Sequence, residues 1–260
     1  MRLFLVFPFL AGLVASLPSQ IHQQPFGLMD EHQSSKVNVS LYVMSRCPDA
    51  RLCEDVFDSV INKEGILDKI DLNIGYIGTP KKSEVLGVTC KHGLEECIGN
   101  AQQLCLLNHL PIDKSYSIIQ CQNYPSSFPR DIGNLDSLKK CVDTVGGVDW
   151  EKSGLAKCIE GKSHSTTITN NDDKEDKEKI KHLGKEAKKL LKKNINQTYE
   201  KEIKTSCTID IDSTISGKQG RRRCIVDGGI WKGCDDGHTA QDFIRVIEEE
   251  HKNLQSKKDD

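Results

Sequence analysis

Cys47 has the surroundings of a reactive thiol. It follows shortly after an apolar run and precedes Pro48. Proline is well placed in the first turn of a helix, where its missing N–H costs nothing. The sulfur would face the free N–H groups of a helix N-terminus, whose positive dipole stabilises a thiolate. Arg46 and Arg51 add positive charge and Asp49 opposes them. A thiolate attacks disulfide sulfurs, so Cys47 is predicted to be a redox nucleophile, the alternative being a structural disulfide.

Ala50 occupies the position at which a dithiol reductase has its second cysteine, three residues after the first. The nearest substitute is Cys53, but six residues of helix separate its Cα atom from that of Cys47 by about 9 Å and turn the side chains apart. A disulfide needs Cα atoms closer than about 7 Å. Cys53 is therefore predicted to be structural and unable to resolve a mixed disulfide on Cys47.

Three more cysteines lie within one sixteen-residue stretch. One interpretation is a zinc site whose ligands are Cys90, His92, Cys97 and Cys105. Structural zinc sites usually pair ligands at short spacing, and thiolate ligation competes poorly with oxidation, so disulfides are favoured and no metal is expected. Cys97 and Cys105 lie about 12 Å apart if one helix carries both, so each should bond to another segment. His92 is either a helper near the reactive thiol or a helix cap.

The first sixteen residues indicate a secretory leader. Arg2 precedes a short apolar run that ends before Ala15 and Ser16. A membrane anchor needs roughly 20 apolar residues, and these flanks are those of a cleaved signal peptide. Cysteines in an oxidising compartment form disulfides. The odd count of eleven cysteines leaves one thiol unpaired or joined to another chain.

Composition and short motifs restrict the kinds of partner and the cellular location expected for the chain. A formal net charge of -2 with 28% charged residues favours neither nucleic acid nor a strongly acidic partner. No later stretch is apolar enough to span a membrane, and no lipid-anchor or retrieval signal is recognisable. Glycosylation sequons at Asn38 and Asn196 agree with the secretory route, and Asn196 is the better candidate because Asn38 is expected in a strand. The expected location is extracellular or lysosomal or vacuolar.

A strand-helix-strand unit should position Cys47. Residues 36–44 alternate apolar and polar before turning fully apolar, and residues 69–77 alternate again, which predicts two strands. Apolar residues at helical spacing after Cys47 predict the helix between them. This order favours a parallel pair with a right-handed crossover. Cys47 would then lie where the first strand feeds the helix.

A cysteine-rich helical insertion interrupts the sheet pattern at about residues 78–200. An apolar stripe from Ile180 to Ile195 predicts a helix packed on the core with a basic outer face. Further helices are predicted at 94–107, 135–145 and 150–159. Beyond the insertion the pattern predicts a strand at 207–211, a hairpin around Val226–Ile230 and a last helix containing Phe243. The predicted division of the chain is a signal peptide (1–16), a lead-in (17–35), one α/β domain (36–252) with a polar loop (163–178), and a polar tail (253–260).

The spacing Cys90-x-His-Gly-x-x-Glu-Cys-x-x-Asn-x-x-x-x-Cys105 closely resembles the signature of the gamma-interferon-inducible lysosomal thiol reductase (GILT) family. Lys91 stands where that family usually has glutamine, and the resemblance is convincing from Lys36 to Cys105. It implies a thioredoxin-like fold with a helical insertion and reduction of protein disulfides at acidic pH. Cys47 falls on the family's first active-site cysteine, and Ala50 departs at the second. The matched positions are Cys90, His92, Gly93, Glu96, Cys97, Asn100 and Cys105.

A second departure concerns Cys207. Thioredoxin-like folds usually place a cis-proline opposite the nucleophile, just before the late strand, and in this chain Cys207 lies at or next to that place. Cys207 is therefore predicted to pair with Cys47, either resolving a mixed disulfide or locking the site. Cys224 and Cys234 are close in sequence across the predicted hairpin, which predicts a local disulfide.

The sequence thus predicts a secreted or lysosomal thiol reductase that attacks protein disulfides through Cys47. No dissociable cofactor is required, because electrons arrive from external thiols such as glutathione or cysteine. The main alternative is a disulfide-stabilised secreted binding protein on a reductase scaffold that has lost turnover, since a fold does not guarantee its activity. A zinc-binding module is the third interpretation.

Overall fold

The computed structural model describes residues 36–160, 180–213 and 220–256. The predicted signal peptide, lead-in and polar loop lie outside these ranges. In chain order the elements are β1 (Val37–Val43), α1 (Pro48–Ile61), β2 (Ile70–Tyr76), β3 (Thr79–Pro80), β4 (Val88–Thr89), α2 (Leu94–His109), α3 (Ile112–Asn123), α4 (Leu135–Val145), α5 (Leu155–Ile159), α6 (Lys185–Glu200), β5 (Thr208–Asp212), β6 (Arg221–Asp227), β7 (Ile230–Lys232) and α7 (Ala240–Ser256).

Five strands form one mixed sheet in the order β2-β1-β5-β6-β7. β1 and β2 are parallel, with Val37 opposite Ile70, which confirms the predicted parallel pair. β5 runs antiparallel to β1 and to β6, with Leu41 opposite Ile209. A β-α-β unit followed by an antiparallel strand and a hairpin is the thioredoxin-like arrangement. The predicted fold class, α/β and thioredoxin-like with a helical insertion, is confirmed.

The core forms because one side of each strand is apolar. Val39, Leu41 and Val43 alternate along β1 and are fully buried, as the period of two in a strand requires. Phe57 of α1 and Phe243 of α7 meet beneath them with ring centroids 5.0 Å apart. Each such side chain contributes about 1.5 to 3 kcal/mol by leaving water. This packing fixes α1, and so the position of Cys47 at its start.

Helix α6 packs along β2, which is an edge strand of the sheet. Ala187, Leu191 and Ile195 of its apolar stripe are fully buried, which confirms the predicted packing on the core, although the helix begins at Lys185, after Gly184, and not at Ile180. The Asn194 side chain accepts a hydrogen bond from the Tyr76 N–H at 2.6 Å and donates to the Ile74 carbonyl at 3.1 Å. An amide thus satisfies backbone groups of β2 that would otherwise form an open sheet edge.

Some elements differ from the sequence prediction. Helix α3 was not predicted, because Ser115, Gln120 and Asn123 are buried in it and hide the apolar stripe. Helix α5 begins only at Leu155, after Gly154 with φ of +89°. Helix α7 continues to Ser256, four residues beyond the predicted domain end. None of the helices within the described ranges is both long and apolar enough to cross a bilayer.

Candidate active site

Cys47 caps the N-terminus of α1. Its backbone is extended, with φ of -85° and ψ of 128°, and Pro48 follows as the first helical residue. The strand-to-helix setting predicted for this cysteine is thus present, and the thiol lies at the positive end of the helix dipole. Cys47 is 7% exposed, and its sulfur lies 3.6 Å from the Ser206 carbonyl oxygen. It is the free cysteine of the eleven, all of which are described.

Cys207 lies next to the nucleophile, but it is not bonded to it. The Ser206–Cys207 peptide bond is cis, and Ser206 Oγ accepts a hydrogen bond from the Met44 N–H at 2.8 Å. The sulfur of Cys207 forms a disulfide with Cys53, with 6.4 Å between their Cα atoms. The prediction that Cys207 pairs with Cys47 is therefore wrong, because α1 turns Cys53 toward β5.

The disulfide between Cys53 and Cys207 also removes Cys207 as a ready resolving thiol. Both cysteines are fully buried, so a solvent thiol has no direct access to their sulfurs. Cys53 is structural, as predicted from its spacing along α1. Ala50, at the position of the missing second cysteine, is 1% exposed and contributes only a methyl group to the core.

The charged residues near Cys47 tie loops to the start of α1. Arg46 donates hydrogen bonds to the Arg130 carbonyl at 2.8 Å and to the Ile132 carbonyl at 2.9 Å. The Arg51 guanidinium lies 5.3 Å from the centre of the Phe128 ring. These cations therefore brace residues 128–132, which sequence reasoning had not linked to the nucleophile.

Asp49 holds the turn of the β6–β7 hairpin. Its two carboxylate oxygens accept hydrogen bonds from the Gly228 N–H at 2.9 Å and the Gly229 N–H at 2.7 Å. Both glycines have positive φ, of 64° and 76°, a backbone state that glycine adopts without steric cost. The predicted hairpin is confirmed, and the structure pairs Cys224 with Cys234 as expected.

An open groove of about 490 Å³ runs beside the first turns of α1. Leu52 is 44% exposed and Tyr124 is 64% exposed on its walls. Apolar surface is thus available one helical turn from Cys47. The residues lining the groove are Pro48, Arg51, Leu52, Asp55, Gln120, Asn123 and Tyr124.

The signature cysteines form two separate disulfides. Cys90 pairs with Cys97, with 5.5 Å between Cα atoms, and Cys105 pairs with Cys158 of α5. The zinc interpretation therefore lacks thiolate ligands in this state, because all three sulfurs are in disulfides. Cys105 bonds to a distant segment as predicted, whereas Cys97 bonds to the loop just before its own helix.

The remaining signature residues surround the Cys90–Cys97 disulfide. Gly93 precedes α2 with φ of +89°, which favours glycine. The His92 N–H donates to Glu96 Oε1 at 3.2 Å, and the His92 ring Nδ1 pairs with Glu96 Oε2. Glu96 is fully buried. His92, predicted as either a helper or a cap, is in this structure the partner of a buried carboxylate.

Asn100 joins the signature to the nucleophile loop. Its Oδ1 accepts a hydrogen bond from the Ser45 N–H at 3.1 Å, and its Nδ2 donates to Cys90 Sγ at 3.7 Å. Ser45 Oγ in turn donates to the Glu96 carbonyl at 3.4 Å. A Cβ atom on Gly99 would lie 3.0 Å from Ser45 Oγ, so α2 approaches this loop closely. The sequence contained these residues only as a signature, without their role.

Parts of this sequence are similar to known proteins. The sequence profile of the gamma interferon inducible lysosomal thiol reductase (GILT) family matches residues 38–145. That range contains Cys47 and the whole of the signature. This region of the chain is therefore similar to the GILT family. Its five disulfides and thioredoxin-like sheet agree with the expectations drawn from the signature.

Curated GILT relatives match parts of the chain. A gamma-interferon-responsive lysosomal thiol protein of Arabidopsis thaliana is 38% identical over 92 residues, which are 34% of this chain and 39% of that protein. GILT-like protein 1 of Drosophila melanogaster is 29% identical over 154 residues, which are 47% of this chain and 60% of that protein. The matched regions therefore span between about two fifths and three fifths of these relatives.

Solved structures of bacterial oxidoreductases are also similar in overall outline. Reduced DsbA1 from Neisseria meningitidis aligns with a TM-score of 0.45 and 13% identity, covering 89% of this chain and 93% of that one. The oxidoreductase NmDsbA1 from N. meningitidis aligns with a TM-score of 0.44 and 14% identity, covering 90% and 92%. The thioredoxin-like fold of this chain follows from its own strand order and strand directions.

A buried glutamate lies behind the groove. Glu54 of α1 is fully enclosed, and burial raises its pKa to about 7 even though a hydrogen bond from Asn123 opposes the shift. That bond, from Asn123 Nδ2 to Glu54 Oε2, is 2.7 Å long. Within the described residues, Glu54 Oε1 is buried without a hydrogen-bond partner. Sequence reasoning missed Glu54, because a glutamate in an amphipathic helix is expected to face water.

The two predicted glycosylation sites occupy different elements. Asn38 lies in β1 as expected and is exposed, and its amide donates to Asp212 at 2.9 Å. Asn196 lies in α6 and is half-buried, while the threonine of its sequon, Thr198, is 2% exposed. Modification at either asparagine stays a prediction.

Proposed function

We propose that this chain reduces disulfide bonds in protein substrates through Cys47. The observation that carries the proposal is the free thiol at the N-terminus of α1, in a chain whose ten other cysteines are paired. The thiolate attacks one sulfur of the substrate disulfide, and the S–S bond breaks. The second substrate sulfur leaves as a thiolate and takes up a proton, which leaves a mixed disulfide between Cys47 and the substrate.

Completing the reaction requires one more thiol. A low-molecular-weight thiol such as glutathione or cysteine attacks the mixed disulfide, releases the substrate, and is itself oxidised to a disulfide when a second such thiol follows. No dissociable cofactor takes part, because the thiols supply both electrons. The apolar groove beside α1, with Leu52 and Tyr124 on its walls, suits apolar segments around a substrate cysteine.

The proposed setting is the secretory pathway, ending outside the cell or in a lysosome or vacuole. Five disulfides in one chain support an oxidising route of synthesis. The predicted leader and sequons support the same route. Protein substrates that contain disulfides are the proposed partners, and neither nucleic acid nor a metal takes part.

Comparison of the wild type with Cys47→Ser tests this function. Both proteins are mixed with a disulfide-containing peptide and glutathione, and the appearance of free peptide thiol is followed. The wild type should accelerate reduction, and Cys47→Ser should fall to the rate of glutathione alone. Without glutathione, mass spectrometry should find the peptide attached to Cys47. Equal rates for the two proteins would overturn the proposal.

The second candidate is a binding protein without turnover. Ala50 favours it, since a methyl group replaces the second cysteine of a dithiol site. A wild type that binds the peptide but neither forms the mixed disulfide nor accelerates reduction would establish this function instead.

A further inference from the structure

We propose that Cys90 and Cys97 form a second redox centre, which resolves the mixed disulfide on Cys47 in place of the cysteine missing at Ala50. This proposal rests on the proposed function of Cys47. It assigns a catalytic part to a disulfide that the family signature alone marks only as structural. A disulfide with this role must be within reach of both a solvent thiol and Cys47.

Burial separates the five disulfides. Both sulfur-bearing residues are fully buried in Cys53–Cys207 and in Cys105–Cys158, so an external thiol cannot reduce either one without opening the fold. Cys90, by contrast, is partly exposed, and its partner Cys97 is 2% exposed. Cys90 is therefore the cysteine of this pair that a solvent thiol would reach first.

Partly exposed residues also occur in the Cys121–Cys141 and Cys224–Cys234 disulfides. What distinguishes Cys90 is its connection to the nucleophile loop. Asn100 donates to Cys90 Sγ and accepts from the Ser45 N–H. A single side chain therefore spans from this sulfur to the backbone two residues before Cys47.

A second connection runs through the β6–β7 turn. Asp227 has its pKa lowered by the hydrogen bond from Lys232, and the positive charge of Lys91 adds to that effect. Lys91 follows Cys90, and Asp227 precedes the two glycines whose N–H groups Asp49 holds. The positive charge of Lys91 therefore acts on the same turn that Asp49 holds by hydrogen bonds.

The two cysteines of this centre suit different steps. Cys90 belongs to the four-residue loop between β4 and α2, whereas Cys97 is the fourth residue of α2. Cys97 therefore lies in the first helical turn, where the helix dipole stabilises a thiolate and makes it a good leaving group. Cys90 lies in a loop and not in a helix, so its side chain is the one of the pair that can move to reach Cys47.

The electron balance closes with a low-molecular-weight thiol as reductant. Two such thiols reduce Cys90–Cys97 to a dithiol and leave as their own disulfide. After Cys47 has formed its mixed disulfide, the Cys90 thiolate attacks the Cys47 sulfur, and the substrate sulfur leaves and takes up a proton. The Cys97 thiolate then attacks Cys90, which releases Cys47 as a thiolate. The structure, with Cys47 free and Cys90 bonded to Cys97, is the state in which this sequence ends.

Cys97→Ser provides a trap for the intermediate. In this variant Cys90 can attack the mixed disulfide, but nothing follows to release Cys47. Peptide mapping after acid quenching should recover a Cys47–Cys90 linked fragment. Cys141→Ser is the matched control, since it leaves Cys121 equally unpaired and partly exposed, and it should give no Cys47–Cys121 fragment. A Cys97→Ser protein that accumulates only the Cys47–substrate disulfide would overturn the proposal.

A single-turnover experiment tests the resolving role of Cys90 and Cys97 separately from the proposed function of Cys47. Protein is treated with glutathione only until Cys90 and Cys97 can be alkylated while the other four disulfides stay intact, is freed of glutathione, and is mixed with one equivalent of disulfide peptide; the double variant is treated in the same way. The wild type should release about one equivalent of doubly reduced peptide, and Cys90→Ser/Cys97→Ser should stop at the mixed disulfide. Release by the double variant would refute the resolving role alone. Failure of both proteins to form any mixed disulfide would refute the function of Cys47 itself.

A measurement on the wild type does not depend on how the variants fold. Glutathione is added in steps, and exposed thiols are alkylated with an isotope-coded reagent at each step. Cys90 and Cys97 should become labelled before the other paired cysteines. Labelling of Cys224 and Cys234 first, with Cys90 and Cys97 still protected, would count against the proposal.

Discussion

Two disulfides of the insertion each lie beside a histidine paired with a glutamate, but their surroundings differ. Next to Cys90–Cys97, the buried carboxylate is Glu96, and the side chain of its partner His92 is 33% exposed. Next to Cys105–Cys158, the cysteines themselves are fully buried, and Glu186, 2.9 Å from His109 Nε2, is 36% exposed. At Cys90–Cys97 the carboxylate is buried and one cysteine is partly exposed. At Cys105–Cys158 both cysteines are buried and the carboxylate is partly exposed.

The types of the neighbouring residues therefore do not determine the role of a disulfide. His109, Cys158 and Glu186 place ligand atoms within 4.8 Å of one another, yet the sulfur is bonded and ties α5 to α2. The other site has the same kinds of residue next to the nucleophile loop, and one of its two cysteines, Cys90, is partly exposed. A sulfur takes part in exchange only if an attacking thiol can reach it.

Loop length gives the largest expected contrast between the two disulfides. Cys105–Cys158 closes a sequence separation of 53 residues, and Cys90–Cys97 closes one of seven. In the chain-entropy picture, loss of the first should lower the free energy of unfolding by about 4 kcal/mol and loss of the second by about 2 kcal/mol. Urea unfolding of the double serine variants, Cys105→Ser/Cys158→Ser and Cys90→Ser/Cys97→Ser, measures both.

Activity per folded molecule should follow the opposite order. Cys90→Ser/Cys97→Ser should lose most of its turnover with limiting glutathione, whereas Cys105→Ser/Cys158→Ser should keep it under conditions in which it is folded. If the second variant loses activity as strongly as the first, the contrast between a reactive and a structural disulfide does not hold.

Glu54 makes the free energy of unfolding depend on pH. Its pKa in the folded chain, about 7, lies above the ordinary value of 4.5, so the folded chain binds more protons between these values. The stabilisation is fully present below pH 4.5 and is lost as pH rises to about 7, a change of about 3 kcal/mol. Both double variants should show the same pH dependence, since Glu54 belongs to neither disulfide.

Glu54→Gln should remove this pH dependence, because an amide does not titrate. Exposed Glu64 supplies the control, and Glu64→Gln should unfold with the wild-type pH profile. Urea midpoints between pH 4.5 and 7.5 provide the measurement. A wild-type stability that rises over this range would show that burial does not hold the Glu54 proton.

The glutamates give the smallest expected contrast. Glu96→Gln replaces the buried carboxyl group that pairs with His92 by an amide and should cost about 2 kcal/mol of stability. Glu186→Gln weakens a pair near the surface and should change stability by no more than about 0.5 kcal/mol. Thermal unfolding at one pH measures both, and similar losses would contradict the difference in burial.

The resemblance to the GILT signature, the strands on either side of α1 and the setting of Cys47 could all be predicted from the sequence. These features depend on local patterns, namely alternation in strands, helical spacing after Pro48 and a signature of seven positions in sixteen. The hairpin and its disulfide, Cys224–Cys234, were predictable for the same reason, since the turn brings neighbouring residues together. Helix α3 was not, because its buried amides carry no apolar period.

Long-range packing determines which cysteines form disulfides with each other and which contacts Asn100 and Glu54 make. Cys207 lies at the place predicted for it, but the rotation of α1 presents Cys53 to it instead of Cys47. Asn100 acquires its role by touching two loops that are far apart in sequence. Glu54 acquires its raised pKa from the helices that enclose it. Packing of distant segments sets these properties, and a linear pattern does not contain the distances on which they depend.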